Sequence, residues 1–352
     1  MRILIPIRTL FRAFPAASRA GLIGLCASVC VWAGVRLAHH DARPRVFLLG
    51  DSFIGNYRFA PGQRLEDDLG RLQPGYRVDN WAQAGDQPLD FLLQLYRGRL
   101  IAGEPRIAIV AFSPDKFLPH GCPSRTDARG TNLRWIPWNR TGWELFLSLN
   151  PRQRNLAVAQ QAALPFYALA DGVRSLWREK VEWERDRKRM RSASSERGRR
   201  IFESCRARAH SQDTAVVPTP GRFADLPLAR DADLLVRGLR AEGVETRVVL
   251  LPWGNPELLA RVSTPKAAAG RDSITALMRE WLADRNLDVL DLTVPEALAH
   301  FPASMWDDAE HPKDPALFEY VSRRISDEWP LAAWPSGPFV SREAPGSPKE
   351  DE

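Results

Sequence analysis

The chain alternates short apolar segments with longer stretches of helical periodicity. Arg45–Gly50, Arg77–Trp81, Arg106–Phe112, Thr246–Leu251 and Leu287–Leu292 are too short for globular helices and rich in aliphatic residues, which predicts buried strands. Between them, Gln63–Leu72, Leu89–Ile101, Asp231–Ala241, Ala267–Arg285 and Pro315–Trp329 have amphipathic spacing, supplying the crossovers that parallel strands require. The expected architecture is a three-layer α/β/α sandwich around a parallel five-stranded sheet. Sites in such sheets lie beyond the carboxyl ends of the strands, which directs attention to the residues after Gly50, Trp81, Phe112 and Leu251.

Two regions depart from this alternation. Before the first strand, Arg2, Arg8, Arg12 and Arg19 precede an apolar run from Ala20 to Val35 that contains no acidic residue. We read a basic cytoplasmic segment at 1–19 and a transmembrane anchor at 20–37, with a cleaved signal peptide as the competing reading. An anchor held by internal arginines places the remainder, a domain at 38–330 and a polar tail at 331–352 expected to be disordered, on the periplasmic or extracellular side of the cytoplasmic membrane. The second departure is an insertion at about 118–226. It opens with Trp135, Trp138 and Trp143, for which core packing is favoured over sugar stacking or a membrane interface. It continues into a charged segment, Arg174 to Arg208, with thirteen Lys/Arg against six Asp/Glu. That segment reads as a solvated helix or as a contact surface for anionic headgroups or polymers. Because the net charge of +6 is concentrated there, the basic balance does not indicate nucleic-acid binding.

Three segments carry chemistry. In RVFLLGDSFIGN, residues 45–56, an apolar strand ends in Gly50, Asp51 and Ser52, so a serine stands at a strand terminus where a nucleophile can enter a cleft. In MWDDAEHPKDP, residues 305–315, Asp308 and His311 lie three apart ahead of the last helix. A carboxylate at that spacing can orient an imidazole that takes the serine proton and passes it to the leaving group. The third segment, NWAQAGDQ at 80–87, follows the second strand and contains Gly85. Cys122 and Cys205, the two cysteines outside the apolar run, form either one disulfide or two free thiols. No Cys/His spacing or acidic loop suggests a metal, and neither metal nor organic cofactor is expected.

Together these segments resemble the SGNH/GDSL hydrolase superfamily, in which a Gly-Asp-Ser block and a terminal Asp-x-x-His block supply the triad. The resemblance implies an SGNH/flavodoxin-like sheet, Ser52 as nucleophile and Asp308 and His311 behind it. It also implies an oxyanion hole from the backbone N–H groups of Ser52 and Gly85. It covers the sheet and both triad segments but not the insertion. One departure concerns the third block, where typical members carry Gly-x-Asn-Asp and this chain has Pro114 in place of the asparagine. The string Ser113-Pro114-Asp115-Lys116-Phe117 resembles the teichoic-acid D-alanyl transfer protein branch, and the layout is similar to that of alginate and cell-wall O-acetyltransferases. Those resemblances imply acyl transfer to a cell-envelope polymer or lipid-linked acceptor, alongside a multipass membrane O-acyltransferase. An esterase with the same triad, and a noncatalytic assembly factor keeping the fold, are the alternatives.

Overall fold

The computed structural model describes residues 30, 33–35, 37, 41–55, 59–83, 86–114, 133–162, 164, 167, 170, 173, 221–226, 228–262, 265–306 and 312–330. The expected tail and the Arg174–Arg208 segment, with Cys122 and Cys205, lie outside them, as does most of the expected anchor. Among the described residues no helix is long and apolar enough to cross a membrane.

Five parallel strands, β1 (Arg45–Leu49), β2 (Arg77–Asn80), β3 (Ile107–Phe112), β4 (Glu245–Leu250) and β5 (Asp288–Asp291), form one sheet in the order β2-β1-β3-β4-β5. This doubly wound, flavodoxin-like order reverses direction between β1 and β3, which makes their carboxyl ends the switch point. β1 and β3 are buried throughout, as central strands covered on both faces must be. Alternate side chains separate two cores: Phe47, Leu49, Val110 and Phe112 enter one, and Val46, Leu48, Ile109 and Ala111 enter the other.

The helices are α1 (Ser52–Gly55), α2 (Leu65–Leu72), α3 (Pro88–Ile101), α4 (Arg140–Ser148), α5 (Pro151–Ala162), α6 (Ala229–Ala241), α7 (Pro256–Val262), α8 (Pro265–Asp284), α9 (Pro295–Leu298) and α10 (Ala316–Glu328). Helices α3, α6 and α8 contribute to the first core, and α1, α2 and α10 to the second. Helix α2 starts two residues later than the periodicity predicts, because the Asp67 carboxylate accepts the N–H groups of Gly62 (2.7 Å) and Arg64 (3.3 Å) and closes a turn there.

Two expectations are corrected by the insertion. Helix α3 is not amphipathic in its setting: every residue from Phe91 to Gly98 is buried. Leu133, Trp135, Ile136, Leu145 and Leu149 of the insertion join the same core, so the outer face of α3 is covered rather than solvated. Of the three tryptophans for which core packing was favoured, only Trp135 is in the core; Trp138 and Trp143 are 74% and 52% exposed. Helix α4 buries Thr141, Gly142 and Leu145, which turns Trp143 outward.

Candidate functional site

The site builds from the end of β1. A Cβ on Gly50 would fit tightly, 3.1 Å from Ile54 Cγ1 and 3.3 Å from Ala111 Cβ on β3, so those side chains would have to give by a few tenths of an ångström. That close approach lets the chain turn directly from strand into α1. Asp51, buried, stabilises the turn, its carboxylate accepting the N–H of Phe53 (2.9 Å) and its carbonyl that of Gly55 (2.7 Å). Ser52 is the first residue of α1, at the carboxyl end of the sheet beside the switch point. Its side chain lies outside the described residues, as do Gly85, Asp308 and His311 entirely. The segments that flank them are described.

At the end of β2, Asn80 ties α1 to α2. Its amide donates to the carbonyl of Ile54 (2.7 Å) and to Glu66 Oε2 (2.8 Å), and its carbonyl oxygen accepts the N–H of Ala82 (3.0 Å). Burial raises the pKa of the Glu66 carboxyl, with the Asn80 hydrogen bond and the charge of Arg64 acting in the opposite direction. Asn80 opens the NWAQAGDQ segment, yet sequence reasoning assigned it no role. Its partners are 26 and 14 residues away, and no local signal identifies them.

The NWAQAGDQ segment is anchored on its far side by a buried polar chain. Asp86 is fully buried; its N–H donates to Gln83 O (3.1 Å), and it accepts at long range from Gln94 Nε2 (3.4 Å). Arg97 Nη1 donates to Gln94 Oε1 (3.1 Å), and its guanidinium lies 5.5 Å from the Trp81 ring centroid and 5.9 Å from that of Trp135. The backbone on both sides of residues 84–85 is therefore tied to α3.

At the end of β3, Ser113 and Pro114 are buried. The Ser113 hydroxyl donates to Pro252 O (3.4 Å). Asn255, after β4, donates its amide to the carbonyl of Phe301 and caps α7 through the Leu258 N–H (2.9 Å).

The Asp308/His311 segment is bracketed by an antiparallel bridge between Trp306 and Pro312, with Lys313 N–H donating to Met305 O (2.8 Å). Trp306 and Phe318 both meet Phe53, at ring-centroid separations of 6.0 Å and 5.8 Å. The residue that follows Ser52 thus packs on the residue that precedes segment 307–311 and on the helix after it. One aromatic cluster joins the two parts of the chain, about 250 residues apart, that carry the nucleophile and base candidates. His300, outside any motif, is exposed and stacks on Tyr320 at 4.5 Å.

No protein-family model matches the chain, and no curated protein matches it. Among solved structures it is similar to a "putative acylhydrolase" from Bacteroides fragilis, with 9% sequence identity and a TM-score of 0.35 over 82% of this chain and 90% of that one. A likeness of that size assigns no activity.

Proposed function

We propose that this chain is a membrane-anchored, extracytoplasmic serine O-acyltransferase of the SGNH type. It acts through an acyl group on Ser52 and delivers it to a cell-envelope polysaccharide or lipid-linked polymer. The observation that carries the reading is the Phe53–Trp306–Phe318 cluster, which holds the turn beginning at Ser52 against both flanks of the Asp308/His311 segment at the switch point of the sheet. In this reading the His311 imidazole takes the Ser52 proton as the hydroxyl attacks the acyl donor, and it returns that proton to the leaving group. Asp308 holds the imidazole and stabilises its charged form. The N–H groups of Ser52 and Gly85 receive the developing oxyanion. The acyl-enzyme is then attacked by a polymer hydroxyl, supplied together with a multipass membrane O-acyltransferase.

A fluorophosphonate probe tests the nucleophile: the full-length protein should label and the Ser52→Ala variant should not. Equal labelling of both would refute the assignment, and no labelling of either would favour the noncatalytic reading. Ester content of purified envelope polymers then separates transfer from hydrolysis. Loss of acylation in Ser52→Ala cells is expected; a gain would identify an esterase instead.

A further inference from the structure

We infer that the outer face formed by α4 and α6 is a docking surface for an anionic lipid bilayer. The inference deepens the membrane-anchored reading by specifying how the folded domain would sit against the membrane. Trp143 and Leu147 lie one turn apart on α4 and are 52% and 61% exposed; Trp138, 74% exposed, stands against Trp143 with ring centroids 6.1 Å apart. Val158 on the adjoining α5 is 53% exposed. The touching Trp138 and Trp143 rings, with Leu147 one turn from Trp143, make an apolar strip rather than single exposed residues, and such a strip marks an interaction site.

The charges beside the stripe indicate the occupant. The carboxylate of Glu144, on the same helix, is contacted by Arg140 (3.5 Å) and by Arg237 of α6 (3.0 Å), both arginines being largely exposed. Beyond Arg237 a cleft of about 680 Å³ is lined by Arg230, Arg240 and Arg285 as well, with Asp233 and Asp284 as its acidic residues. With Arg140, five arginines stand against three carboxylates on α4, α6 and the end of α8, where Glu144 is shared by Arg140 and Arg237 and Asp233 pairs with Arg285, so these residues carry a net positive charge. Tryptophan with leucine on one side and arginine on the other is the composition of an interfacial helix on anionic lipid.

A glycan would be met by a flat stacking platform. Trp138 and Trp143 instead cross at 84°, and Leu147 and Val158 present aliphatic carbon that a polar polymer does not match. Val35, the last residue of the apolar N-terminal run, is buried in the core that Trp135, Leu145 and Leu149 also enter, so the run ends on the folded domain.

The test uses the full-length protein on vesicles of phosphatidylcholine with phosphatidylglycerol, in which acyl chains are brominated to quench tryptophan fluorescence. A Trp32→Phe background removes the signal of the apolar run itself. Bromine quenching is expected in this background, weaker on pure phosphatidylcholine and at high salt. In Trp138→Phe/Trp143→Phe it should fall to the level of unbrominated lipid, and Leu147→Glu should weaken it without changing the melting temperature. Quenching unchanged by the paired tryptophan substitutions would overturn the proposal, as would a dimer that protects the stripe from lipid. Ser52→Ala should leave the quenching intact, so acyl transfer can fail while docking stands, and docking can fail while Ser52 still labels.

Discussion

Replacing Asn80 with alanine removes three hydrogen bonds at the point where β2 holds α1 and α2 together. Two are with neutral backbone groups, at about 1 kcal/mol each, and one is with a carboxylate, at about 1.5–3 kcal/mol, so the loss should be about 3–5 kcal/mol near neutral pH. At roughly 2–4 °C per kcal/mol for a domain of this size, the melting temperature should fall by on the order of 10 °C. The pH dependence is the sharper part. The pKa of Glu66 is raised from 4.5 by burial, and Asn80 opposes that rise; without Asn80 the carboxyl is shifted further. A carboxyl whose native pKa exceeds its unfolded value binds more protons when folded, so stability falls as pH rises from the unfolded to the native value. The cost of Asn80→Ala must therefore be larger at about pH 7.5 than at about pH 5, because the ionised share of Glu66, which Asn80 favours, grows with pH. Circular dichroism melts at both pH values, in wild-type and Glu66→Gln backgrounds, measure this directly. With Glu66→Gln the pH dependence of the Asn80 effect should disappear. Equal losses at both pH values in the wild-type background would refute the claim that Asn80 compensates the Glu66 charge.

Trp306→Ala should cost about 3–5 kcal/mol in urea unfolding and slow fluorophosphonate labelling of Ser52, with Trp306→Phe recovering most of the labelling; a folded Trp306→Ala that labels at the wild-type rate would show that the aromatic cluster does not position the turn. Gly98→Ala places a Cβ 2.5 Å from Phe47 Cε2 and 2.8 Å from the Trp81 ring, so its unfolding midpoint should drop further than that of Gly50→Ala, whose nearest contact is 3.1 Å. Glu242→Ala strips an acceptor from Tyr96, Arg99 and Asn139 together. Because the Asn139 side chain also caps α4, hydrogen exchange should accelerate at residues 140–148, and unchanged protection there would refute the coupling.

The sheet was legible because its signals are local. β3 is an unbroken apolar run and β1 one after Arg45, and the stretches between the strands are long enough for helices, so element type and order could be read without knowledge of partners. Burial around the insertion was not local. The outer residues of α3 are covered by Leu133 and Trp135, whose positions no periodicity in Leu89–Ile101 encodes. Trp138 and Trp143 read as core residues because tryptophan carries a large apolar surface, yet Gly142 fixes their exposure by approaching Pro137 so closely that a Cβ would lie 1.7 Å from its carbonyl oxygen. In the site, the Gly-Asp-Ser turn was visible in the residues themselves, whereas the Asn80–Glu66 link and the Asp86–Gln94–Arg97 chain arise from contacts between elements.

Those two links bear on Pro114, the position at which the resemblance to the SGNH/GDSL superfamily implies an asparagine. At the end of β3, Pro114 has no N–H to offer, Ser113 donates to Pro252, and the Asn255 amide is committed to Phe301. In the proposed reaction, oxyanion stabilisation then falls to the ends of β1 and β2, where the backbone is braced most heavily. Asp51 and Asn80 fix the turn of α1, and Asp86, Gln94 and Arg97 fix the backbone around residues 84–85. Arg97 lies against rings from both the NWAQAGDQ segment and the insertion, Trp81 and Trp135. The insertion is thereby part of the support for the NWAQAGDQ segment: loosening Trp135 would weaken the hold on the Arg97 guanidinium that closes the buried chain behind Asp86, and in the proposed reaction the Gly85 N–H depends on that segment.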